Sequence, residues 1–152
     1  MKFVLNGQQR NCEIRPAETL LELLRECGMA SVRSGCDTTN CGICTVWVDE
    51  VPVLSCSYPA ARAEGKRITT IEGVKEQARP LMQAFADEGA DQCGYCSPGL
   101  LMTVLALKNE LKHPTDEEIN AYLAGNLCRC TGYAGQMRAI RKYLEAEDNS
   151  NA

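Results

Sequence analysis

The sequence lacks an excess of basic residues and a long apolar segment, and its first residues are not expected to be a secretory leader. Its 16 Lys and Arg are outnumbered by 20 Asp and Glu, and the net charge of −4 does not favour nucleic acid or an anionic membrane surface as a partner. No apolar run approaches the roughly 18–20 residues that cross a bilayer. The first segment, MKFVLNGQQRNCEI, turns polar after five residues. We therefore expect no membrane span, no export signal and a cytoplasmic location.

Residues suited to substrate chemistry are also scarce. The single histidine, His113, stands beside Pro114 at a predicted helix start and is expected to be a solvated loop residue. The sequence contains no G-x-G-x-x-G and no P-loop, and no serine has a histidine and carboxylate in a nucleophilic arrangement. Asp116, Glu117 and Glu118 fit the charge preference of a helix N-terminus better than acid–base catalysis. We expect no catalytic residue on this chain.

Cysteine, in contrast, is abundant, with ten in 152 residues. A disulfide scaffold is one explanation, but such scaffolds are usually short, secreted and rich in loops. This chain has long amphipathic helical patterns that can fold without cross-links. In a reducing compartment, clustered thiols are more often metal ligands or nucleophiles.

The first half of the chain reads as a small mixed sheet with one helix. Asn6-Gly7 is a strong hairpin signal between two short strand patterns. The segment AETLLELLREC predicts a helix that ends at Gly28. The segments CTVWVD and PVLSC predict a second hairpin, and KRITTIEG predicts a last strand. This order is compatible with a β-grasp domain over residues 1–74.

The second half reads as helices. In SPGLLMTVLALKNEL, Ser97 is the expected N-cap, with a proline at the first helical position. Thr115 and Glu118 form a predicted capping box for the following helix. Four helices of this length indicate a compact bundle over residues 75–147. Residues 148–152 are predicted to be a flexible tail. The fold class is therefore α+β.

Four cysteines follow the pattern C-x4-C-x2-C-x11-C. They are Cys36, Cys41, Cys44 and Cys56. The two spacings between the first three cysteines, followed by a more distant fourth, are those of a plant-type [2Fe–2S] site, and a loop with Gly35 and Gly42 can wrap its backbone around a cluster. Zinc is the main alternative, because four thiolates suit it too. Zinc sites, however, usually combine two short cysteine knuckles, whereas three of these cysteines crowd one loop.

Four more cysteines follow the pattern C-x2-C and, after a gap, C-x-C. They are Cys93, Cys96, Cys128 and Cys130. Each pair is predicted to lie just before a helix, where free N–H groups and the helix dipole favour a negatively charged metal–thiolate centre. CGYC alone would also fit a redox dithiol, although no thioredoxin-like pattern surrounds it. Cys12 and Cys27 remain, and both are interpreted as buried small hydrophobes without a redox role.

The segments GCDTTNCGICT, LSC, QCGYCSPG and AGNLCRCTGY together resemble the iron–sulfur subunit of the xanthine oxidase family of molybdenum hydroxylases. The sequence is most similar to the separate small subunits of bacterial members, such as the carbon monoxide dehydrogenase and aldehyde or nicotinate oxidoreductase types. The resemblance extends from about Lys2 to Leu144. It implies a β-grasp ferredoxin-like domain followed by a four-helix domain, each with one [2Fe–2S] cluster.

The resemblance also implies which residues hold each cofactor. The first quartet would hold an outer cluster near FAD on a medium partner subunit, and the second an inner cluster near the molybdenum–pterin cofactor on a large partner. Gln92 and Cys130 would contact the pterin, although Gln92 can also be a loop amide that satisfies local backbone groups. Ile43 stands where a small residue is usual and Ser97 where Thr is common. Arg129 would either tune the inner cluster or contact a partner.

The sequence thus predicts an electron-transfer subunit that relays single electrons from a molybdenum centre through two clusters to FAD. Two other classes of protein stay open. One is a stand-alone ferredoxin-like carrier, and the other is a zinc-stabilised interaction module. The substrate and the final electron acceptor are not encoded in this chain, because specificity would reside on the large subunit.

Overall fold

A computed structural model describes residues 1–150, with residues 147–150 described as backbone only. Five strands form one mixed sheet in the order β2–β1–β5–β3–β4. The strands are β1 (Lys2–Leu5), β2 (Gln8–Asn11), β3 (Thr45–Val48), β4 (Val51–Leu54) and β5 (Arg67–Thr69). β1 and β5 are parallel, and the other neighbours are antiparallel. The sheet brings the end of β4 beside the start of β3, close to three of the cysteines.

Both predicted hairpins are confirmed. Asn6 and Gly7 have φ of 50° and 79°, and Asp49 and Glu50 have φ of 49° and 70°. Two successive residues with positive φ are what a two-residue turn needs to match the twist of its strands. β1 therefore pairs with β2, and β3 with β4, without an intervening loop.

Helix α1 (Leu20–Glu26) covers the sheet. Thr19 caps it, because its hydroxyl accepts the Glu22 N–H while the Glu22 carboxylate accepts the Thr19 N–H. Its four leucines are buried in a core with Phe3, Leu5 and Ile68 from the sheet. After α1 the chain runs without regular structure to β3, and this loop carries four of the ten cysteines, with Cys27 at its start and the other three near its end.

Four further helices follow the sheet. They are α2 (Lys75–Asp87), α3 (Ser97–Glu110), α4 (Asp116–Tyr122) and α5 (Ala134–Ser150). Their apolar faces form a second core, which also takes in Trp47 from β3. The indole N–H of Trp47 donates a 3.0 Å hydrogen bond to the Met102 carbonyl oxygen, so the sheet and the helices are packed directly together. The α+β organisation is confirmed.

The helix termini differ from the predictions in two places. The capping box of Thr115 and Glu118 is confirmed, but Ser97 is not the N-cap of α3. Cys96 holds that position without a side-chain cap, and Ser97 is already helical. Its hydroxyl instead donates a 2.6 Å hydrogen bond to the Asp91 carboxylate. The helix begins at Ser97, so the N-cap position falls on Cys96, one residue before the predicted cap.

The predicted tail overlaps the last helix. The backbone of α5 runs to Ser150, so residues 148–150 continue the helix, while residues 151–152 lie outside the described residues. Within residues 1–150, no helix combines the length and the apolar character that crossing a membrane requires.

Candidate metal centres

The first cysteine quartet lies at one end of the sheet. Cys36, Cys41 and Cys44 come from the loop between α1 and β3, and Cys56 follows β4. Cys41 and Cys44 are buried, whereas Cys36 and Cys56 are partly accessible. Within the quartet the thiols interact most strongly in two pairs, Cys36 with Cys41 and Cys56 with Cys44. The pairing of β3 with β4 brings the fourth cysteine to the loop that carries the other three.

Two thiols of this quartet have pKa values shifted in opposite directions. The pKa of Cys36 is lowered to about 6, chiefly by the Asn40 main-chain N–H, with further hydrogen bonds from Cys41 and Thr38. Burial raises the pKa of Cys56 to about 12, and the neighbouring Cys44 thiol adds to this. A loop that presents N–H groups to the Cys36 sulfur, beside a Cys56 thiol whose burial opposes ionisation, fits a cationic centre that would bind both as thiolates.

Two glycines make the first loop possible. A Cβ on Gly35 would lie 2.3 Å from Cδ1 of Ile43, so the larger side chain at position 43 occupies space that this glycine leaves open. Gly42 has φ of +70°, and a Cβ there would lie 2.3 Å from the Gly125 carbonyl oxygen. Ile43 therefore fills the loop without displacing any cysteine from it.

The second quartet lies where two loops lead into helices. Cys93 and Cys96 precede α3, and Cys128 and Cys130 precede α5. Their sulfurs are also close in pairs, with 3.5 Å between Cys93 and Cys130 and a side-chain hydrogen bond between Cys96 and Cys128. The first of these pairs is exposed and the second is partly buried. The predicted position before two helices is confirmed, and the quartet has an exposed and an inner side.

The two thiols of the inner pair, Cys96 and Cys128, have pKa values shifted in opposite directions. Burial raises the pKa of Cys96 to about 12, with a further contribution from Cys128. Burial also acts to raise the pKa of Cys128, but the Thr131 hydroxyl and the main-chain N–H groups of Cys130 and Thr131 outweigh it, so that pKa is lowered. Thr131 Oγ1 is 3.2 Å from the Cys128 sulfur. Hydrogen-bond donors are therefore already directed at this sulfur.

Three polar side chains around the second quartet were missed by sequence reasoning. The Tyr133 hydroxyl accepts a 3.0 Å hydrogen bond from the Cys128 N–H, and Thr131 contacts the same cysteine. Gln136 is only 3% exposed, and its Nε2 is 4.0 Å from the Cys96 sulfur. A hydroxyl residue next to the CRC motif was a usable signal for Thr131. Nothing in the sequence indicated that the Gln136 side chain points towards the Cys96 sulfur.

The donor chemistry of both quartets fits a [2Fe–2S] cluster. Such a cluster takes four cysteine thiolates, two for each of its two irons, and each quartet supplies two close pairs of thiols. In the part of the chain that the structure describes, no group of three or more His, Cys, Asp or Glu side chains is arranged to hold a single metal ion.

The two quartets are joined by main-chain contacts. The Leu127 N–H donates a 2.9 Å hydrogen bond to the Cys41 carbonyl oxygen. Beside it, the side-chain amide of Asn126 donates to the Gly42 carbonyl oxygen at 3.4 Å. Gly99 of α3 also approaches closely, since a Cβ there would lie 2.4 Å from that same oxygen. The first loop therefore packs directly against the segment that carries Cys128.

A second set of contacts joins the loop of Cys36 to the loop of Cys93. Arg33 Nη1 donates to the carbonyl oxygens of Gly94 and Tyr95 at 2.8 and 3.1 Å. Its guanidinium also lies 5.1 Å from the centre of the Tyr95 ring. The Tyr95 hydroxyl in turn donates to the Ser34 carbonyl oxygen at 2.9 Å. These contacts hold the loop of Cys36 against the loop of Cys93.

The remaining candidate residues lie in different places. Gln92 precedes Cys93 on the exposed loop, so it shares the exposed side of the second quartet with Cys130. Arg129 is exposed. His113 is exposed with φ of 49°, in the turn before α4 rather than beside either quartet.

Cys12 and Cys27 are both partly buried beside the core that α1 forms with the sheet. Their sulfurs are 3.8 Å apart. Both cysteines were predicted to be buried small hydrophobes, and the contact between their sulfurs was not predicted.

Two family models match the chain, one for each half. A model described as "2Fe-2S iron-sulfur cluster binding domain" matches residues 3–70. A model described as "[2Fe-2S] binding domain" matches residues 70–141. Each model contains one of the two cysteine quartets.

Full-length relatives are also found. The nicotinate dehydrogenase small FeS subunit of Eubacterium barkeri is 46% identical over 144 residues, covering 93% of this chain and 92% of the relative. The xanthine dehydrogenase iron–sulfur-binding subunit of Escherichia coli O157:H7 is 48% identical over 137 residues, covering 88% and 86%.

Solved structures agree with these relatives. Quinoline 2-oxidoreductase from Pseudomonas putida 86 contains a chain with a TM-score of 0.89 and 34% identity, covering 100% of this chain and 97% of that one. The aldehyde oxidoreductase from Desulfovibrio gigas gives a TM-score of 0.90 and 32% identity over 99% of this chain, which matches only 17% of that much longer chain.

Proposed function

This chain belongs to the family of small iron–sulfur subunits of the xanthine and nicotinate dehydrogenases, and on that premise we propose that it relays single electrons between partner subunits of a molybdenum hydroxylase. One observation carries the proposal. Two quartets of paired thiols lie on either side of a single main-chain hydrogen bond, from Leu127 to Cys41. Two such sites on loops that contact each other directly suit a relay better than two independent structural sites.

We propose that the first quartet holds the outer cluster. Cys36 and Cys41 would bind one iron, and Cys44 and Cys56 the other, because these are the thiols that already contact each other. The N–H groups that lower the pKa of Cys36 would stabilise it as a thiolate. When bound, a [2Fe–2S] cluster accepts and releases one electron at a time.

We propose that the second quartet holds the inner cluster, within a domain formed by helices α2 to α5 as a four-helix bundle. Cys93 and Cys130 would share one iron and Cys96 and Cys128 the other. The start of α3 at Ser97 and of α5 at Ala134 places the dipoles of two helices near the negative charge of this centre. Burial of the inner pair would keep water from that side.

The exposed side of the second quartet is the proposed docking site for a large subunit with a molybdenum–pterin cofactor. Cys130 and Gln92 are accessible there, as the pterin contact requires. Three large apolar side chains, Tyr95, Leu127 and Tyr133, are each 45–46% exposed near these loops. Exposed apolar surface around a candidate redox centre is typical of a protein interface. The outer cluster would then face FAD on a medium subunit.

In this arrangement the chain carries no substrate site, and the large subunit would oxidise the substrate. The names of the relatives include nicotinate and xanthine, and these substrates belong to those proteins. Clustered thiols persist in a reducing compartment, which supports a cytoplasmic location for the complex.

The test is low-temperature EPR with spin counting and metal analysis, on the dithionite-reduced complex purified through a tag on this chain. We expect two distinct signals, one for each cluster, together with molybdenum and flavin from the partners. A chain that purifies alone with both signals would support a stand-alone carrier instead. A colourless chain that contains zinc and gives no signal would contradict electron transfer altogether.

A further inference from the structure

The inner pair of the second quartet receives hydrogen bonds from two side chains that are not ligands. We propose that Thr131 and Gln136 raise the reduction potential of the second centre by donating hydrogen bonds to the sulfurs of Cys128 and Cys96. This inference rests on the proposed function, because it requires a cluster at these cysteines.

The geometry of Thr131 fixes the direction of its hydrogen bond. Its Oγ1 accepts the Tyr133 N–H at 3.2 Å and lies 3.2 Å from the Cys128 sulfur. Because the oxygen accepts from the main chain, its own proton is available for the sulfur. Thr131 is only partly exposed, which limits competition from water for that proton.

Gln136 approaches the same pair of sulfurs from the other side. It lies in the first turn of α5 and is 3% exposed, with Nε2 4.0 Å from the Cys96 sulfur. Burial of a polar amide is unfavourable unless it has a hydrogen-bond partner. A sulfur that gains negative charge is such a partner, and the low local dielectric strengthens the interaction.

Both donors therefore act on Cys96 and Cys128, the two thiols that would bind the same iron of the second cluster. Reduction adds one electron to a cluster, with no bond made or broken, and increases the negative charge on its sulfurs. Donors aimed at those sulfurs stabilise the reduced form and make the potential more positive. Since Cys96 and Cys128 are less accessible than Cys93 and Cys130, the hydrogen bonds provide charge stabilisation on the side with less access to solvent.

Matched variants separate this role from a structural one. Thr131→Val removes the hydroxyl at nearly constant shape, and Thr131→Ser keeps it. Gln136→Met keeps the side-chain length without the donor. The measurement is an EPR-monitored dithionite titration of the purified complex, in which each signal gives its own potential.

We expect the Val and Met variants to move one signal to a more negative potential, while the second signal and the Ser variant stay at the wild-type value. Full spin counts with unchanged potentials in Thr131→Val would overturn the inference. If Gln136→Met loses a cluster, the comparison of Val with Ser at position 131 still decides. A wild-type complex with fewer than two signals would instead contradict the proposed function.

A separate observation concerns the two cysteines outside the quartets. The sulfurs of Cys12 and Cys27 lie 3.8 Å apart, at the end of β2 and at the C-cap of α1. We infer that this pair is a dithiol that closes to a Cys12–Cys27 disulfide when it is oxidised by a low-molecular-weight disulfide such as oxidised glutathione. Both residues lie just outside regular structure, and closing the bond requires the sulfurs to move from 3.8 Å to roughly 2.05 Å.

The reaction is ordinary thiol–disulfide exchange. The thiolate of Cys12 attacks one sulfur of the small disulfide and releases one thiol. The thiolate of Cys27 then displaces the second thiol, so two electrons pass to the oxidant and the chain loses two protons. Burial, followed by the neighbouring Cys12 thiol, raises the pKa of Cys27 to about 11. Closure of the disulfide should therefore be faster as the pH rises.

Oxidised glutathione is added to the intact complex, which is then denatured in an alkylating agent and mapped by peptide mass. A cross-linked peptide pair containing Cys12 and Cys27, formed while the iron content stays constant, is the expected result. Cys12→Ser should abolish this product and leave a mixed disulfide on Cys27 at most. Complete alkylation of both cysteines after prolonged treatment at alkaline pH would overturn the inference, with or without clusters in the protein.

Discussion

The main-chain N–H of Leu127 donates a 2.9 Å hydrogen bond to the carbonyl oxygen of Cys41. One partner is a cysteine of the first quartet, and the other directly precedes Cys128 of the second. One connection between the two candidate centres thus runs through a short stretch of backbone and this hydrogen bond. A helical domain placed only to cover the sheet would not need this contact at its cysteine loops.

Gly42 is the residue most sensitive to change along this connection. Gly42→Ala places a methyl group 2.3 Å from the Gly125 carbonyl oxygen, at a φ of +70° that alanine disfavours. We expect the loops to separate, with loss of stability beyond the roughly 1–2 kcal/mol of the left-handed conformation alone. The measurements are the thermal midpoint and the iron content of the purified protein.

Gly65→Ala is the matched control, because Gly65 has φ of +72° and no atom within 4 Å of its added Cβ. It carries the conformational cost without the clash. Equal midpoints and equal iron content in the two variants would show that the close approach at Gly42 is not needed.

Single ligand removal assigns the two EPR signals. Cys44→Ser should abolish one signal and Cys128→Ser the other, because each substitution takes a thiolate from a different proposed cluster. Each variant should lose about half of the bound iron while the other signal persists. Cys12→Ser, outside both quartets, should keep both signals. Loss of the same signal in both ligand variants would contradict the assignment of two separate quartets.

The features that could be predicted from sequence are the local ones. The turn at Asn6-Gly7 follows from the preference of these two residues for positive φ, and the box of Thr115 and Glu118 follows from hydrogen bonds within one turn of helix. The cysteine spacings were informative for a related reason. They place thiols within short loops, and they are specific enough to indicate a family.

The features that could not be predicted depend on packing between distant segments. The hydrogen bond from Leu127 to Cys41, the contact of Cys12 with Cys27 and the inward orientation of Gln136 all require the relative positions of separate elements. The prediction of Ser97 as the N-cap was wrong for the same reason, since the helix begins at Ser97 itself and Cys96 holds the N-cap position. Residue preferences alone do not contain this information.

Glu72 gives the chain a pH-dependent contribution to stability. Burial acts to raise its pKa, but hydrogen bonds from Ser31 and Thr70 outweigh it, so the pKa lies below the ordinary 4.5. A lowered carboxylate pKa stabilises the fold above the unfolded-state value, and this is lost as the pH falls through the folded-state value. Glu72→Gln should therefore lower the thermal midpoint at neutral pH, with a difference that shrinks in acid.

The matched control is Glu117→Gln, an exposed position in the first turn of α4. Its effect on the midpoint should be smaller at neutral pH, because an exposed charge is screened by solvent. A difference between wild type and Glu72→Gln that stays constant from neutral pH to below pH 4.5 would contradict the ionised carboxylate as its source.

Leu127 also tests the proposed docking surface for a large subunit. Its side chain is 46% exposed beside the second quartet, while its main-chain N–H makes the contact to Cys41. Leu127→Glu should keep that hydrogen bond but place a charge in the proposed apolar interface, where a buried, unpaired charge is costly. We expect less molybdenum subunit to co-purify with the tagged variant, while the iron content and both EPR signals of the chain remain.

Val51→Glu is the control, because Val51 is 59% exposed at the start of β4, in the other domain. Equal loss of the molybdenum subunit from both variants would mean a general effect of added charge, and no loss from Leu127→Glu would move the docking surface away from the second quartet.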